Sequence, residues 1–224
     1  MNVCALSDLH GDFVHIKPCE LVCICGDISP LNIQGNYDKM QKWLLNTFKP
    51  WASKLPCNKV IFIAGNHDKC FSNLDFMYTQ FSKDDKVTYL FHEKYTYTSS
   101  EGKDYTIFGT PYCKLFGNWA FMEMNSQLEQ LFMNIPYNCD ILLSHDAPFG
   151  CTDVLLQLGY YTGEHIGNKP LAEAILQKMP KFVLHGHLRS TSREFENLGV
   201  SQVVNCSIKN EYYEVDYDPI YFEL

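Results

Sequence analysis

The sequence predicts an α/β fold: a two-sheet β-sandwich flanked by helices. Three observations lead there. Five short apolar runs recur along the 224 residues, each ending in a polar, often glycine-containing turn. Segments with helical spacing lie between them. Aromatic and β-branched stretches supply further strands.

The apolar runs are residues 3–6, 21–25, 60–64, 141–143 and 182–184. Continuous apolar runs suit strands covered on both faces. The first helix is predicted where Tyr37, Met40, Leu44 and Phe48 fall at helical spacing. Between residues 87 and 108, Tyr89, Tyr95, Tyr97 and Thr106 mark strands, with a turn at 99–102. Trp119, Leu128, Leu131 and Phe132 give a looser helical pattern. A clearer one comes from Leu171, Ala172, Ile175, Leu176 and Met179, with Asn168 as cap, Pro170 in the first turn and Pro180 as terminator. The last 25 residues predict two or three more strands. No repeat, low-complexity tract or linker interrupts the chain, which predicts one domain over 1–224.

Composition is that of a soluble globular protein, 46% hydrophobic and 20% charged. A net charge of −8 argues against a broad nucleic-acid or membrane surface. Residues 1–6 already read as a strand, without a charged leader or cleavage site. No apolar run approaches the roughly 20 residues that span a bilayer. Of ten cysteines, Cys4, Cys23, Cys25, Cys139 and Cys206 are expected inside apolar strands, and no paired CxxC motifs occur. Reduced core thiols in a cytoplasmic protein are expected.

The five turns are SDLHGD, GDISP, GNHD, SHDAP and HGHLR, all at carboxyl ends of predicted strands. Ligands of open α/β folds sit beyond those ends. The turns pool Asp8, His10, Asp27, Asn66, His67, Asp68, His145, Asp146, His185 and His187, and hold five of the eight histidines. Each alone has an ordinary structural explanation, as a turn former, a cap or a satisfied core histidine. Jointly they offer the oxygen and imidazole donors that divalent cations take.

In succession, DxH, GD, GNHD, H and GH resemble the calcineurin-like metallophosphoesterase superfamily. The likeness extends to its small class III phosphodiesterase-like, metallophosphoesterase-domain members. GTPYCKLFGNWAF (109–121) is similar to their GxPxxxxFxxWxF segment, and DILLSHDAPFG (140–150) to their DILLTHGPPxG. HIGNKPL, FVLHGH and VVNCS also follow that pattern, so the resemblance covers nearly the whole chain.

The resemblance implies a four-layer α-β-β-α fold with two divalent ions (Mn²⁺, Fe²⁺ or Zn²⁺) between the sheets. Asp8 and His10 would hold the first ion, Asp27 would bridge, and Asn66, His145 and His187 would hold the second. His67 would donate a proton to the leaving oxygen or grip the phosphate. Two cations roughly 3.5–4 Å apart make a shared water a nucleophile near neutral pH, ready for in-line attack on phosphorus.

One position departs from the pattern. The family's last motif is usually GHxH, whereas Gly186-His187-Leu188-Arg189 puts arginine in the final place. A guanidinium stays protonated and does not ligate metal. Either His187 binds the second ion and Arg189 replaces a ligand of the first, or His185 and His187 serve as the pair themselves. In the first case one ion binds tightly and one weakly, and Arg189 either clamps the substrate phosphate or is a solvated surface residue.

The leading function is a metal-dependent phosphodiesterase acting on small phosphodiesters, cyclic nucleotides among them. A phosphomonoesterase, including a protein phosphatase, would use the same centre, and a weakly active metal-binding scaffold is the reading Arg189 keeps open. Nuclease action finds no basic track. Tyr112, Phe116, Trp119 and Phe121 are either core or a platform for a base. The expected partner is a small phosphoester, with neither membrane nor nucleic acid.

Overall fold

The computed structural model describes residues 1–157, 160–189 and 191–224. Its first four strands, β1 (Asn2–Leu6), β2 (Leu21–Cys25), β3 (Lys59–Ile63) and β4 (Val87–Tyr89), are parallel neighbours. β5 (Glu93–Thr98) and β6 (Asp104–Thr110) pair antiparallel, and the short β7 (Cys113–Lys114) and β8 (Met122–Glu123) pair with each other. β9 (Ile141–Ser144) precedes an antiparallel pair, β10 (Val154–Gln157) and β11 (Tyr160–His165). The chain ends with β12 (Phe182–His185), β13 (Glu196–Leu198), β14 (Ser201–Asn205) and β15 (Ile220–Glu223).

Two large sheets result. One has the order β15-β1-β2-β3-β4, the other β13-β14-β12-β9-β6-β5. In each, a parallel centre carries an antiparallel edge: β15 on the first, β13 and β5 on the second. The helices are α1 (Tyr37–Trp43), α2 (Lys49–Ser53), α3 (Leu74–Gln80), α4 (Asn125–Phe132) and α5 (Lys169–Lys178), with a π turn, Leu44–Phe48, joining α1 to α2.

The period of two in a strand sorts residues into layers. Along β2, Leu21, Cys23 and Cys25 face the second sheet, where Ile107, Leu143, Leu184 and Val204 meet them. Val22 and Ile24 face outward and pack under Met40, Leu44 and Phe48. On the far side of the second sheet, Leu142, Val183 and Val203 lie under Leu128 and Phe132 of α4 and Leu171 and Ile175 of α5. These clusters make the four layers: helices, sheet, sheet, helices.

Most predicted elements form. Asn168 caps α5 by accepting from the Leu171 N–H at 3.1 Å, as its position ahead of Pro170 implies. Two details differ. Trp119 lies outside α4, because α4 begins at Asn125 after the β7–β8 excursion. Leu176 and Met179 do not join the α5 core face. Leu176 is exposed, and Met179 adopts a left-handed cap conformation (φ 53°) that turns the chain away before Pro180.

The parallel centres bring the turns together. After β1 the chain bonds to the turn after β2, with Asp8 N–H to Gly26 O at 3.0 Å and His10 N–H to Asp27 O at 2.9 Å. After β12, Gly186 N–H donates to His145 O at 3.2 Å. A bridge between Ser7 and Ser207 links the ends of β1 and β14 across the two sheets.

Candidate metal centre

Asp27 lies at the middle. Its Oδ1 accepts the His67 N–H at 2.9 Å and stands 3.4 Å from His145 Nε2. Its Oδ2 stands 3.5 Å from His10 Nε2 and 3.8 Å from His67 Nε2. Asp8, His10 and Asp27 each aim one ligand atom into a space where these atoms lie within 4.8 Å of one another, and all three residues are buried. This Asp-His-Asp cluster can hold a divalent cation.

The backbone is shaped to present these side chains. Asp8 (φ 57°), His10 (44°), Asp27 (52°) and His187 (67°) all occupy the left-handed region. For non-glycine residues that conformation costs on the order of 1–3 kcal/mol each and clusters at functional sites. Asp68 offsets part of this by knitting two turns, accepting from Gly65 N–H (2.9 Å), Ile28 N–H and Ser29 N–H (2.9 Å). Glycines permit the close approach. A Cβ on Gly65 would sit 2.2 Å from Asp27 Oδ1, and one on Gly186 would sit 1.9 Å from Ser7 Oγ and 2.4 Å from Asp8 Oδ2.

A cation fits what the residues leave unsatisfied. Asp8 Oδ1, both ring nitrogens of His10 and Asp27 Oδ2 are buried without a hydrogen-bond partner among the described residues. Buried polar atoms are almost always paired, so the three that can face one point, Asp8 Oδ1, one His10 ring nitrogen and Asp27 Oδ2, call for a ligand. His145 is oriented as a metal-binding imidazole would be. Its Nδ1 donates to Cys25 O at 2.7 Å, which leaves Nε2 facing Asn66 Oδ1 at 3.0 Å and Asp27 Oδ1. With Nε2 unprotonated, a lone pair and two oxygens converge there, three acceptors with no donor between them.

The electrostatics reflect this crowding, which draws a positive charge, either a proton or a metal ion. Burial pulls the His145 pKa down, but the carboxylates of Asp27 and Asp8 outweigh it and raise it to about 9. Burial would push the Asp27 carboxyl up, yet His145, His10 and His67 hold it well below the usual carboxylate range. His10 drops to about 4, since burial exceeds the pull of Asp27 and Asp8. Burial likewise depresses His187, with His145 adding to the effect.

The predicted residues gather as follows. His187 stands beside His145, ring centroids 5.1 Å apart, and its N–H donates to Asp8 Oδ2 at 3.1 Å. Asn66 reaches the centre through His145, and His67 through Asp27. Arg189 Nη1 lies 3.8 Å from Asp8 Oδ1. His185 is engaged elsewhere: Nε2 meets Thr152 Oγ1 at 2.6 Å and Nδ1 meets Gly186 O at 3.1 Å. Of the two neighbouring histidines, His187 is the one that faces the cluster.

Above the centre is a cavity of about 410 Å³, walled in part by Trp119, Phe116 and Arg189. Trp119 is 41% exposed and lies over His67, centroids 4.4 Å apart; Phe116 is 54% exposed and lies against His187 at 5.3 Å. Tyr112 and Phe121 pack instead against Phe91. Two contributors carry no sequence signal. Gln34 Oε1 bonds His67 Nδ1 at 2.7 Å, and the Tyr213 ring lies under Arg189 Cζ at 3.9 Å and beside His10 at 5.0 Å.

Known proteins resemble this chain over most of its length. The profile of the Calcineurin-like phosphoesterase family matches residues 1–188. UPF0046 protein T07D4.2 of Caenorhabditis elegans is 22% identical over an alignment covering 96% of this chain and 58% of that protein. Metallophosphoesterase domain-containing protein 1 of Homo sapiens is 24% identical, over 98% of this chain and 69% of its own length. Among solved structures, TT1561 of Thermus thermophilus shares the fold with a TM-score of 0.55 at 16% identity, covering 91% of this chain and 88% of that one. No described helix is long and apolar enough to cross a membrane. The two-sheet fold, the turns gathered on Asp27 and a match over most of the chain lead to one conclusion: the chain belongs to the calcineurin-like phosphoesterase family.

Proposed function

We propose that the chain is a metal-dependent phosphodiesterase acting on small phosphodiesters. The observation that carries the reading is the convergence of orphaned buried donors, Asp8 Oδ1, the His10 ring and Asp27 Oδ2, on one space beneath an open cavity. Asp8, His10 and Asp27 would hold one divalent ion; Asp27, Asn66, His145 and His187 would hold a second. When bound, the ions supply charge for the phosphoryl oxygens and an ionised water near neutral pH.

The protein's own groups do the rest. His67 donates from Nδ1 to Gln34 Oε1, which orients the ring and leaves Nε2 free, so that the imidazolium form would give its Nε2 proton to the leaving oxygen. Arg189 keeps its charge at the rim, braced by Asp8 and the Tyr213 face, and its buried Nε has no partner among the described residues. Its guanidinium, which lines the cavity, would donate to a phosphate oxygen. Arg189 also sets a fixed positive charge beside Asp8, which weakens the first ion relative to the second. Trp119 and Phe116 offer faces to a planar substituent, a nucleobase among the candidates. Ten cysteines without a disulfide-framework pattern support a cytoplasmic setting.

Assaying bis(p-nitrophenyl) phosphate and p-nitrophenyl phosphate with added Mn²⁺, beside an Asp27→Asn control, tests the reading. Diester turnover that disappears in the control is expected. Monoester preference would make the protein a phosphomonoesterase, and no turnover with any divalent ion would leave a metal-binding scaffold.

A further inference from the structure

Tyr213 belongs to a segment beyond the family match, which ends at residue 188. Its backbone is left-handed (φ 63°), a conformation a bulky residue keeps only when its surroundings impose it. The surroundings are explicit. Asn210 Oδ1 accepts the N–H groups of Tyr212 (3.0 Å) and Glu214 (3.1 Å), and Tyr213 N–H donates to Asn210 O at 3.1 Å. The carbonyl of Tyr213 accepts from Lys209 Nζ at 2.8 Å, and Lys209 is itself buried against Asp12.

This turn sets the ring at a boundary. On one side is the cavity of about 410 Å³ that reaches the centre through Asn66, His67 and His187. On the other is a cavity of about 350 Å³ that reaches it through His10, with Asp12, Asn32 and Lys209 in its wall. Tyr213 lines both. The first sets the aromatic faces of Phe116 and Trp119 beside its polar groups; the second, with Pro30 and Leu31 in its wall, has neither and offers Asp12 and Asn32 as hydrogen-bonding groups.

We propose that Tyr213 is a specificity-determining residue: its ring divides the space above the Asp8–His10–Asp27 cluster into two arms, so the site selects phosphodiesters that carry one planar aromatic substituent and one hydroxyl-bearing substituent. This rests on the phosphoesterase reading above. A phosphate at the cluster has two ester substituents if it is a diester, and each finds its own cavity. A monoester fills one cavity and leaves the other to water.

The test compares thymidine 5′-(p-nitrophenyl phosphate) with p-nitrophenyl phosphate, which release the same leaving group, in wild type, Tyr213→Gly and Tyr213→Phe with Mn²⁺. Glycine removes the ring and suits the left-handed backbone; phenylalanine keeps the ring. In Tyr213→Gly the diester-to-monoester ratio of kcat/KM is expected to fall by about tenfold, chiefly through the diester KM, and in Tyr213→Phe to stay within about twofold of wild type. An unchanged ratio in Tyr213→Gly, at wild-type metal content or with a lowered Tm, would make the ring structural only and overturn the proposal while leaving the hydrolase reading intact. Wild type that turns over neither compound would remove both.

Discussion

The backbone N–H of His187 donates to Asp8 Oδ2 at 3.1 Å, joining residues 179 apart in the chain. The bond ties the turn after β12 of the second sheet to the turn after β1 of the first sheet. It occupies one carboxylate oxygen of Asp8 and leaves the other, Oδ1, without a hydrogen-bond partner and facing Arg189. The two sheets are thus locked where the ligands meet.

That lock has no room at Gly186. In Gly186→Ala the new Cβ would press on Ser7 Oγ and Asp8 Oδ2. Overpacking of this kind costs about 1–3 kcal/mol. A fall in Tm of several degrees is expected, with loss of bound metal, measured by thermal denaturation and by metal analysis of the purified variant.

Arg189 brings a permanent positive charge next to Asp8. Arg189→His would replace that charge with a neutral ligand of the type divalent ions take. Titration with Mn²⁺ is expected to show tighter binding or a higher stoichiometry than wild type. Unchanged titration curves would mean that Arg189 does not limit the first ion.

His185 makes a pH prediction. Burial lowers its pKa from 6.5 to about 4. Its neutral form is the one the fold accepts, so its contribution to stability is complete above pH 6.5 and is lost as pH falls toward 4. The full loss is on the order of 3 kcal/mol. Urea unfolding at pH 7 and pH 4.5 should show a smaller stability difference in His185→Gln than in wild type. An equal difference in both would show that another group carries the acid sensitivity.

How much of this was legible follows from where the information lies. Asp8, Asp27, Asn66 and His145 stand out in the sequence because each lies within three residues of a strand's carboxyl end, and parallel strands deliver those ends to one edge. The two readings of HGHLR differ by a shift of two residues, which keeps the strand's facing, so periodicity does not separate them. In the structure Thr152, which lies outside any motif, takes His185 as its partner, while His187 lies beside His145. Trp119 falls in with a helical pattern in the sequence because aromatic spacing of that looseness carries no direction. Gln34 and Tyr213 were invisible for a different reason. Each reaches the centre by a tertiary contact from a loop whose own sequence has no period.

The most direct test of the central claim is the metal content of the purified protein, wild type against Asp27→Asn, by inductively coupled plasma mass spectrometry after growth with Mn²⁺ and Zn²⁺. At least one divalent ion per wild-type chain and near-complete loss in Asp27→Asn is the predicted result. A wild type that carries no divalent ion and binds none on titration, or an Asp27→Asn variant that keeps the wild-type content, would contradict it.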